Sequence, residues 1–312
     1  MQNSLHRNKE NLESQGIIYP GQELCHHTLF FTSQRDSKLW PRQYRNVDHS
    51  TLQDYVTDSL TAMAKDFLRD HDTYIISTEY LFFSDEQSVH NTTSWLKDFF
   101  DEIEIIVFIR QPSKHYSSSQ QQVIKASHEI ATPSHYYYPF RAVIEAWQKK
   151  CKVRPIKYDE GTDSLQTLSD IINFEIGNFI IPQRQNESLS VEQMNTLEKI
   201  QKNIYQDSSN IFKKHLLSVS NITPRGLTKP TLKKGIAEYI DQNHRRDLNW
   251  LEENHGITFT ISPKNHQLPK KLKNIEKCSV KDVYVTNDDK VEKYEATLMD
   301  ALLKHATKTS TS

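Results

Sequence analysis

The residues whose types and spacing could do chemistry cluster in one stretch, Glu104 to Lys125, EIIVFIRQPSKHYSSSQQQVIK. Arg110 offers a planar, permanently charged fork, and Ser117, Ser118 and Ser119 follow it with neutral hydroxyls. A guanidinium and a hydroxyl in that order can share one phosphate group. The same residues are equally compatible with a satisfied arginine and a solvated serine run. Two further groups stand upstream: the adjacent pair His26 and His27, and Glu79 in YIISTEYLF.

The surrounding pattern says which elements must position these groups. Ile105 to Ile109 is an unbroken, largely β-branched run, as expected of a strand buried on both faces. Pro112 can open a helix because its missing N–H is not needed in the first turn. The stretch therefore reads as strand, tight turn and helix, with Arg110 at the strand's carboxyl end, where open α/β sheets bind ligands. Tyr74 to Ser77 (YIIS) reads as a second buried strand leading into Glu79, and Val153 to Tyr158 as another. Helices are expected over 2–15, ended by Gly16, and over 51–70, 86–100 and 134–150. Pro20-Gly21 is a turn signal ahead of the histidines, and 34–50 reads as loop. This strand–helix alternation implies an α/β fold with a mainly parallel sheet flanked by helices.

The second half reads as mostly helix, over about 163–177, 190–215 and 228–254, with Ser190 as an N-cap. ITFTI (Ile257 to Ile261) alternates like a last, peripheral strand, PKKLKNIEK reads as a solvated surface segment, and Lys290 to Lys308 as a terminal helix. The expected organisation is a domain over 1–262 and a polar C-terminal extension with a terminal helix over 263–312.

Composition narrows the function classes. Lys+Arg 39 against Asp+Glu 40 gives a net charge of −1, so no global field draws in nucleic acid or an anionic membrane. Cys25, Cys151 and Cys278 are far apart with no CxxC, which implies neither a disulfide framework nor a zinc site. No segment approaches the ~18 apolar residues needed to span a bilayer. The N-terminus lacks a signal peptide's apolar core, so a cytoplasmic protein without a transmembrane segment is expected.

With the pieces placed, the chain resembles the sulfotransferases that use 3′-phosphoadenosine 5′-phosphosulfate (PAPS), in their bacterial, carbohydrate-type branch. Four patches carry the resemblance in order: NLESQGIIYPG with HHTL, YIISTEYLF, IVFIRQPSKHYSSSQQQ and NESLSVEQ. Together they span roughly 1–260, in patches. The resemblance implies a P-loop-containing nucleotide hydrolase-like sulfotransferase fold and transfer of a sulfuryl group to a hydroxyl, of a saccharide in this branch. It implies PAPS as co-substrate, no metal, and no nucleic-acid partner.

By the same resemblance, Arg110 and Ser118 hold the donor's 3′-phosphate, with Ser117 and Ser119 near enough to blur the serine assignment. Sulfuryl transfer needs a base for the acceptor's proton and a cation for charge on the bridging oxygen. His26 and His27 are the base candidates, since a neutral imidazole accepts a proton at pH 7. His26 has the better spacing to Leu29, and Glu79 is the alternative. One packed and one exposed histidine in a loop, and a Glu79 that caps the next turn, are the plainer readings. Arg225 and Lys229 in RGLTKPTLKKG are similar to a late donor-closing loop, or form a charged surface loop. His244-Arg245-Arg246 reads as a solvated helix face, and His135 to Tyr138 as packing that could also stack on sugars.

The family opens with a strand and a glycine-rich loop whose lysine holds the 5′-phosphosulfate. No such loop stands in these 312 residues, and Met1 to Leu5 reads like its continuation. The expectation is an N-terminally short chain, in which the sheet lacks an element beside 104–110 and catalysis is poor. The alternative function is a truncated or non-catalytic protein of this fold that only binds nucleotide or a partner. A phosphoryl-transferring kinase is disfavoured by the missing Walker-type lysine and magnesium carboxylates.

Overall fold

The computed structural model describes residues 1–31, 40–41, 44, 47–159, 161–181, 188–205 and 212–309. Most of the loop expected over 34–50, the Asn186-Glu187 start of the NESLSVEQ patch, and 206–211 within the expected helix 190–215 lie outside the described residues. In chain order the elements are α1 (Gln2–Arg7), α2 (Lys9–Glu13), β1 (Ile17–Ile18), α3 (Thr28–Phe31), α4 (His49–Phe67), β2 (Thr73–Tyr74) and α5 (Glu86–Lys97). Then come β3 (Glu104–Arg110), α6 (Pro112–Ile124), β4 (Ile130–Ala131), α7 (Phe140–Gln148), β5 (Lys152–Tyr158) and α8 (Ser164–Ile172). The remainder is α9 (Val191–Ile200), α10 (Phe212–Asn221), α11 (Ile236–Asn243), α12 (Arg245–His255), β6 (Lys277–Cys278), α13 (Val280–Val283) and α14 (Asp288–Thr309).

The chain divides into two compact units, Met1–Ile109 with Pro139–Gln185, and Arg110–Tyr138 with Asn186–Ser312. In the first, β1 and β2 pair in parallel, Ile17 opposite Thr73 and Ile18 opposite Tyr74. Leu5, Leu12, Ile17, Ile75, Leu168 and Phe174 form the core around them. The helix expected over 2–15 is two helices. Asn8 breaks it because its amide donates to the carbonyls of Ser4 (2.7 Å) and Ile180 (3.0 Å) and accepts from the Ile180 N–H (2.8 Å). Gly16, at φ +79°, ends the second helix in the left-handed conformation glycine favours.

The expected single, mainly parallel sheet is replaced, among the described residues, by three two-stranded ladders: β1 with β2, β3 with β5, and β4 with β6. The fold is mixed α/β. The YIIS segment shows why the ladders are short. Ile75 still donates to the Ile18 carbonyl at 2.8 Å, but the Ser77 N–H turns to the ring of His26, so a side chain replaces the next rung. β3 forms over the expected residues, but Glu104 is exposed, Ile109 is buried and the rest are half-buried, and among the described residues it has a ladder partner, β5, on one edge.

In the second unit, α6, α9, α11, α13 and α14 enclose Tyr116, Ile124, Met194, Leu197, Ile240 and Tyr284. Ser190 caps α9 as expected, in a reciprocal capping box: its hydroxyl accepts from the Gln193 N–H, and the Gln193 side chain accepts from the Ser190 N–H. The expected strand at 257–261 forms no ladder, although its alternation is real: Ile257 and Phe259 are buried while Thr258 and Thr260 are exposed. Residues beyond 263, expected as a polar extension, supply core. Leu268, Leu272, Val280, Val283 and Tyr294 are buried among the lysines, and β6 pairs antiparallel with β4. Their apolar positions recur between charged ones, and long lysine stems let the two coexist. Among the described residues, no helix is long and apolar enough to cross a membrane.

Candidate active-site clusters

The first cluster lies beyond the carboxyl ends of β1 and β2. The loop after β1 is pinned at Gly21, whose N–H donates to Asp66 of α4 at 2.8 Å. Its φ of +66° and the approach of Met63 Cγ, 2.9 Å from where a Cβ would stand, leave room for glycine alone. The chain then brings Cys25, His26 and His27 alongside Ser77, Thr78 and Glu79. His26 is fully buried. Its Nδ1 accepts from the Ser77 N–H (2.9 Å) and its Nε2 contacts the Pro20 carbonyl (2.9 Å), so both ring nitrogens are taken by backbone. Burial lowers its pKa, and the bonds to Pro20 and Ser77 only partly offset this.

His27 differs from its neighbour. It is half-buried, its Nδ1 lies 2.9 Å from Thr78 Oγ1, and its ring meets Tyr80 edge-on with centroids 4.8 Å apart. One ring nitrogen of His27, the Cys25 thiol and a Glu79 oxygen lie within 4.8 Å of one another. Gln2 ties two of these together: Nε2 donates to Glu79 Oε2 at 3.2 Å, and Oε1 accepts from Cys25 Sγ at 3.1 Å. Burial lowers the His27 pKa, while the Glu79 and Glu23 charges pull it back up. Burial, with the Glu79 and Glu23 charges, pushes the Cys25 thiol up to about 11. His27 is thus a neutral imidazole at pH 7 with a carboxylate beside it, which suits proton transfer.

The second cluster surrounds the start of α6. Arg110 ends β3, Pro112 opens the helix, and Ser118 lies roughly two turns in. The three serines separate. Tyr284 Oη donates to the Ser117 carbonyl (3.3 Å) and lies 3.5 Å from its hydroxyl, whereas Ser119 Oγ donates to the Tyr116 carbonyl at 2.9 Å. Ser118, half-buried, makes no hydrogen bond through its hydroxyl among the described residues.

Sequence reading missed what caps this helix. Asp241 of α11, buried, accepts from the Ser113 N–H (2.8 Å), the Ser113 hydroxyl (3.0 Å) and Gln111 Nε2 (2.6 Å). The cap comes from 128 residues away, so no local motif announces it. A carboxylate thus occupies the first-turn amide of Ser113, and that donor is closed to an anion near Arg110. His115 stacks flat on Tyr138, with centroids 3.9 Å apart and rings 9° from parallel, and its Nδ1 lies 2.5 Å from Tyr136 Oη. Burial and the Arg110 charge hold its pKa down to about 4. Burial pushes Tyr138 up to about 12, against a backbone hydrogen bond from Arg110 and its charge.

His244, expected on a solvated face, is buried. Its Nε2 accepts from the Tyr138 N–H (2.9 Å), its Nδ1 reaches the Ile240 carbonyl (2.8 Å), and Tyr137 stacks on it. The histidine thus replaces a backbone rung for the tyrosine run. In the same unit, a cavity of about 290 Å³ brings Ser188, Ser190 and Gln193 at the start of α9 together with Thr228 and Lys229. Two patches that the sequence offered separately therefore line one cavity. Cys25, Cys151 and Cys278 form no disulfide. No family model matches the chain, and neither a curated protein nor a solved structure resembles it at a significant level.

Proposed function

We propose that the chain transfers a sulfuryl group from PAPS to a hydroxyl, with a saccharide as acceptor. The reading is carried by the strand–turn–helix of β3 and α6, with Arg110 as the last strand residue and Ser118 the hydroxyl left available in the serine run. In this reading Arg110 gives two parallel donors to the 3′-phosphate and Ser118 a third. Asp241 already takes the Ser113 amide, and the reading assigns recognition of the phosphate to these two side chains.

His27 takes the acceptor's proton, since His26 has both nitrogens engaged by backbone. Glu79, beside His27, is the alternative base. The acceptor oxygen forms its bond to sulfur as the sulfur–oxygen bond to the 5′-phosphate breaks, and 3′,5′-ADP leaves. The proton moves to the His27 nitrogen not held by Thr78.

The test is calorimetry with nucleotides, followed by transfer of labelled sulfate from PAPS to saccharides. The expected results are tighter binding of 3′,5′-ADP than of 5′-AMP, and transfer that Arg110→Ala weakens. Equal affinity for the two nucleotides removes the basis for the Arg110–Ser118 assignment. Binding without transfer leaves a nucleotide-binding protein of the same fold class.

A further inference from the structure

The loops beyond β1 and β2 are stitched side by side by the two hydrogen bonds between His26 and Ser77. That stitching places Cys25 and His27 of one loop against Glu79 of the other, a thiol, an imidazole and a carboxylate within 4.8 Å. We propose that Cys25, His27 and Glu79 form a binding site for a divalent metal ion of the zinc type, with a fourth coordination position left to water or a small ligand.

The donor set selects the ion. Thiolate and imidazole suit zinc and reject magnesium and calcium, which prefer oxygen shells. Three protein ligands with one open position is the arrangement zinc takes where it is not purely structural. Metal–ligand bonds of about 2.0–2.3 Å in a tetrahedron set ligand atoms roughly 3.3–3.6 Å apart. The three groups thus need to close by at most about 1.5 Å to reach coordination distance, and Glu79, exposed, can supply that by side-chain rotation.

The surroundings also resemble a prepared second layer. Thr78 Oγ1 is placed to accept from His27 Nδ1, which would leave Nε2 as the ligand atom, and the Tyr80 ring sets the imidazole's tilt. Gln2 holds the thiol and the carboxylate from its two amide ends before binding, and the bond that Cys25 donates to it is given up when the thiol ionises. On binding, the thiol proton is released to solvent, and the ion takes thiolate, neutral imidazole and carboxylate, one proton per metal.

The inference does not depend on sulfuryl transfer, but it meets that reading at one point: a bound ion engages His27 and Glu79 and blocks them as bases. Zinc is therefore expected to inhibit transfer.

Cobalt(II) titration of the full chain tests the site directly, because a thiolate ligand gives a sulfur-to-cobalt charge-transfer band and tetrahedral geometry gives intense visible bands. One equivalent of cobalt, displaced by zinc, is expected. Cys25→Ser should abolish the charge-transfer band, Glu79→Gln, at an exposed position, should weaken binding at least tenfold, and Cys151→Ser should change neither. A band that persists in Cys25→Ser or vanishes in Cys151→Ser, or wild-type protein that takes up no cobalt, overturns the proposal. None of these results bears on nucleotide binding at Arg110, so the two readings fail separately.

Discussion

Ser77 and His26 hold each other through two hydrogen bonds: the Ser77 N–H donates to His26 Nδ1 at 2.9 Å, and the His26 N–H donates to the Ser77 carbonyl at 3.0 Å. With Nδ1 accepting, the ring proton resides on Nε2 and donates to the Pro20 carbonyl. His26 is thereby a fastener between two loops. His26→Ala leaves a buried N–H and C=O unpaired, and each such group costs about 1–3 kcal/mol. The variant should unfold at distinctly lower urea than wild type, and an unchanged midpoint would contradict the fastening role.

His27→Ala should leave stability nearly unchanged and lower turnover by about 10²–10⁴, the usual worth of a general base. Donor affinity should hold, because the base acts on the acceptor. The base must be neutral, so activity is lost as pH falls through its lowered pKa. The acid limb of the rate profile should therefore lie below the ordinary histidine value of about 6.5. Wild-type activity that already halves above pH 7 on its acid side would exclude His27.

The adjacent histidines show how far the sequence could be read. Their types announced acid–base chemistry, but which ring turns inward is decided by Ser77 and Pro20, and family spacing favoured the one that is buried. The β3–α6 segment was legible because its signals are local: an apolar β-branched run, then Pro112 at the first helical turn. Ser190 as the N-cap of α9 was legible for the same reason, and the reciprocal bond from its N–H to Gln193 was added by the structure. Asp241 as the cap of α6, and His244 as the acceptor for Tyr138, join residues over 100 positions apart, where no local pattern reaches. The segment 257–261 displayed its inward face correctly, yet alternation alone does not supply a ladder partner. The lysines of 264–277 outweighed Leu268 and Leu272 in a composition reading, whereas packing is decided by the leucines.

Gly21→Ala should disturb the first cluster without touching it. The left-handed conformation costs a side-chain-bearing residue roughly 1–2 kcal/mol, and the added Cβ would meet Met63 Cγ at 2.9 Å. The expected result is lower stability together with reduced cobalt or acceptor response from His27 and Cys25. If alanine is tolerated at full stability, the turn does not position the loop.

Among the serines of α6, only position 118 should matter for nucleotide. Arg110→Ala should weaken 3′,5′-ADP by about 1.5–3 kcal/mol and Ser118→Ala by about 0.5–1.5 kcal/mol, the ranges for charged and neutral hydrogen bonds. Ser119→Ala, which removes a bond to its own helix, should leave affinity unchanged. Calorimetry that ranks Ser119 above Ser118 would shift the phosphate to another face of the helix.

The second unit contains groups whose titrations oppose each other. His115 has its pKa lowered from 6.5 to about 4, chiefly by burial, so the unfolded chain binds the proton first and stability is lost as pH falls from 6.5 to 4. Glu198 has its pKa raised from 4.5 to about 7, again chiefly by burial, so stability is lost as pH rises from 4.5 to 7. Asp241, also raised by burial, acts in the same sense as Glu198. Wild-type stability between pH 4.5 and 6.5 is therefore a difference of opposing contributions, in which His26, His27 and His244, also lowered by burial, act in the same sense as His115. Glu198→Gln removes one side of this balance while keeping an oxygen for the Val280 N–H, which Glu198 now accepts at 2.9 Å. After discounting for its partial exposure, the variant should gain about 2 kcal/mol over wild type at pH 8. That advantage should shrink toward zero by pH 4.5, so that the variant's stability falls more steeply toward acid than the wild type's. Urea denaturation at the two pH values checks this. A gain of equal size at both would mean that Glu198 is ionised in neither state's favour, and that its carboxylate is not destabilising at neutral pH.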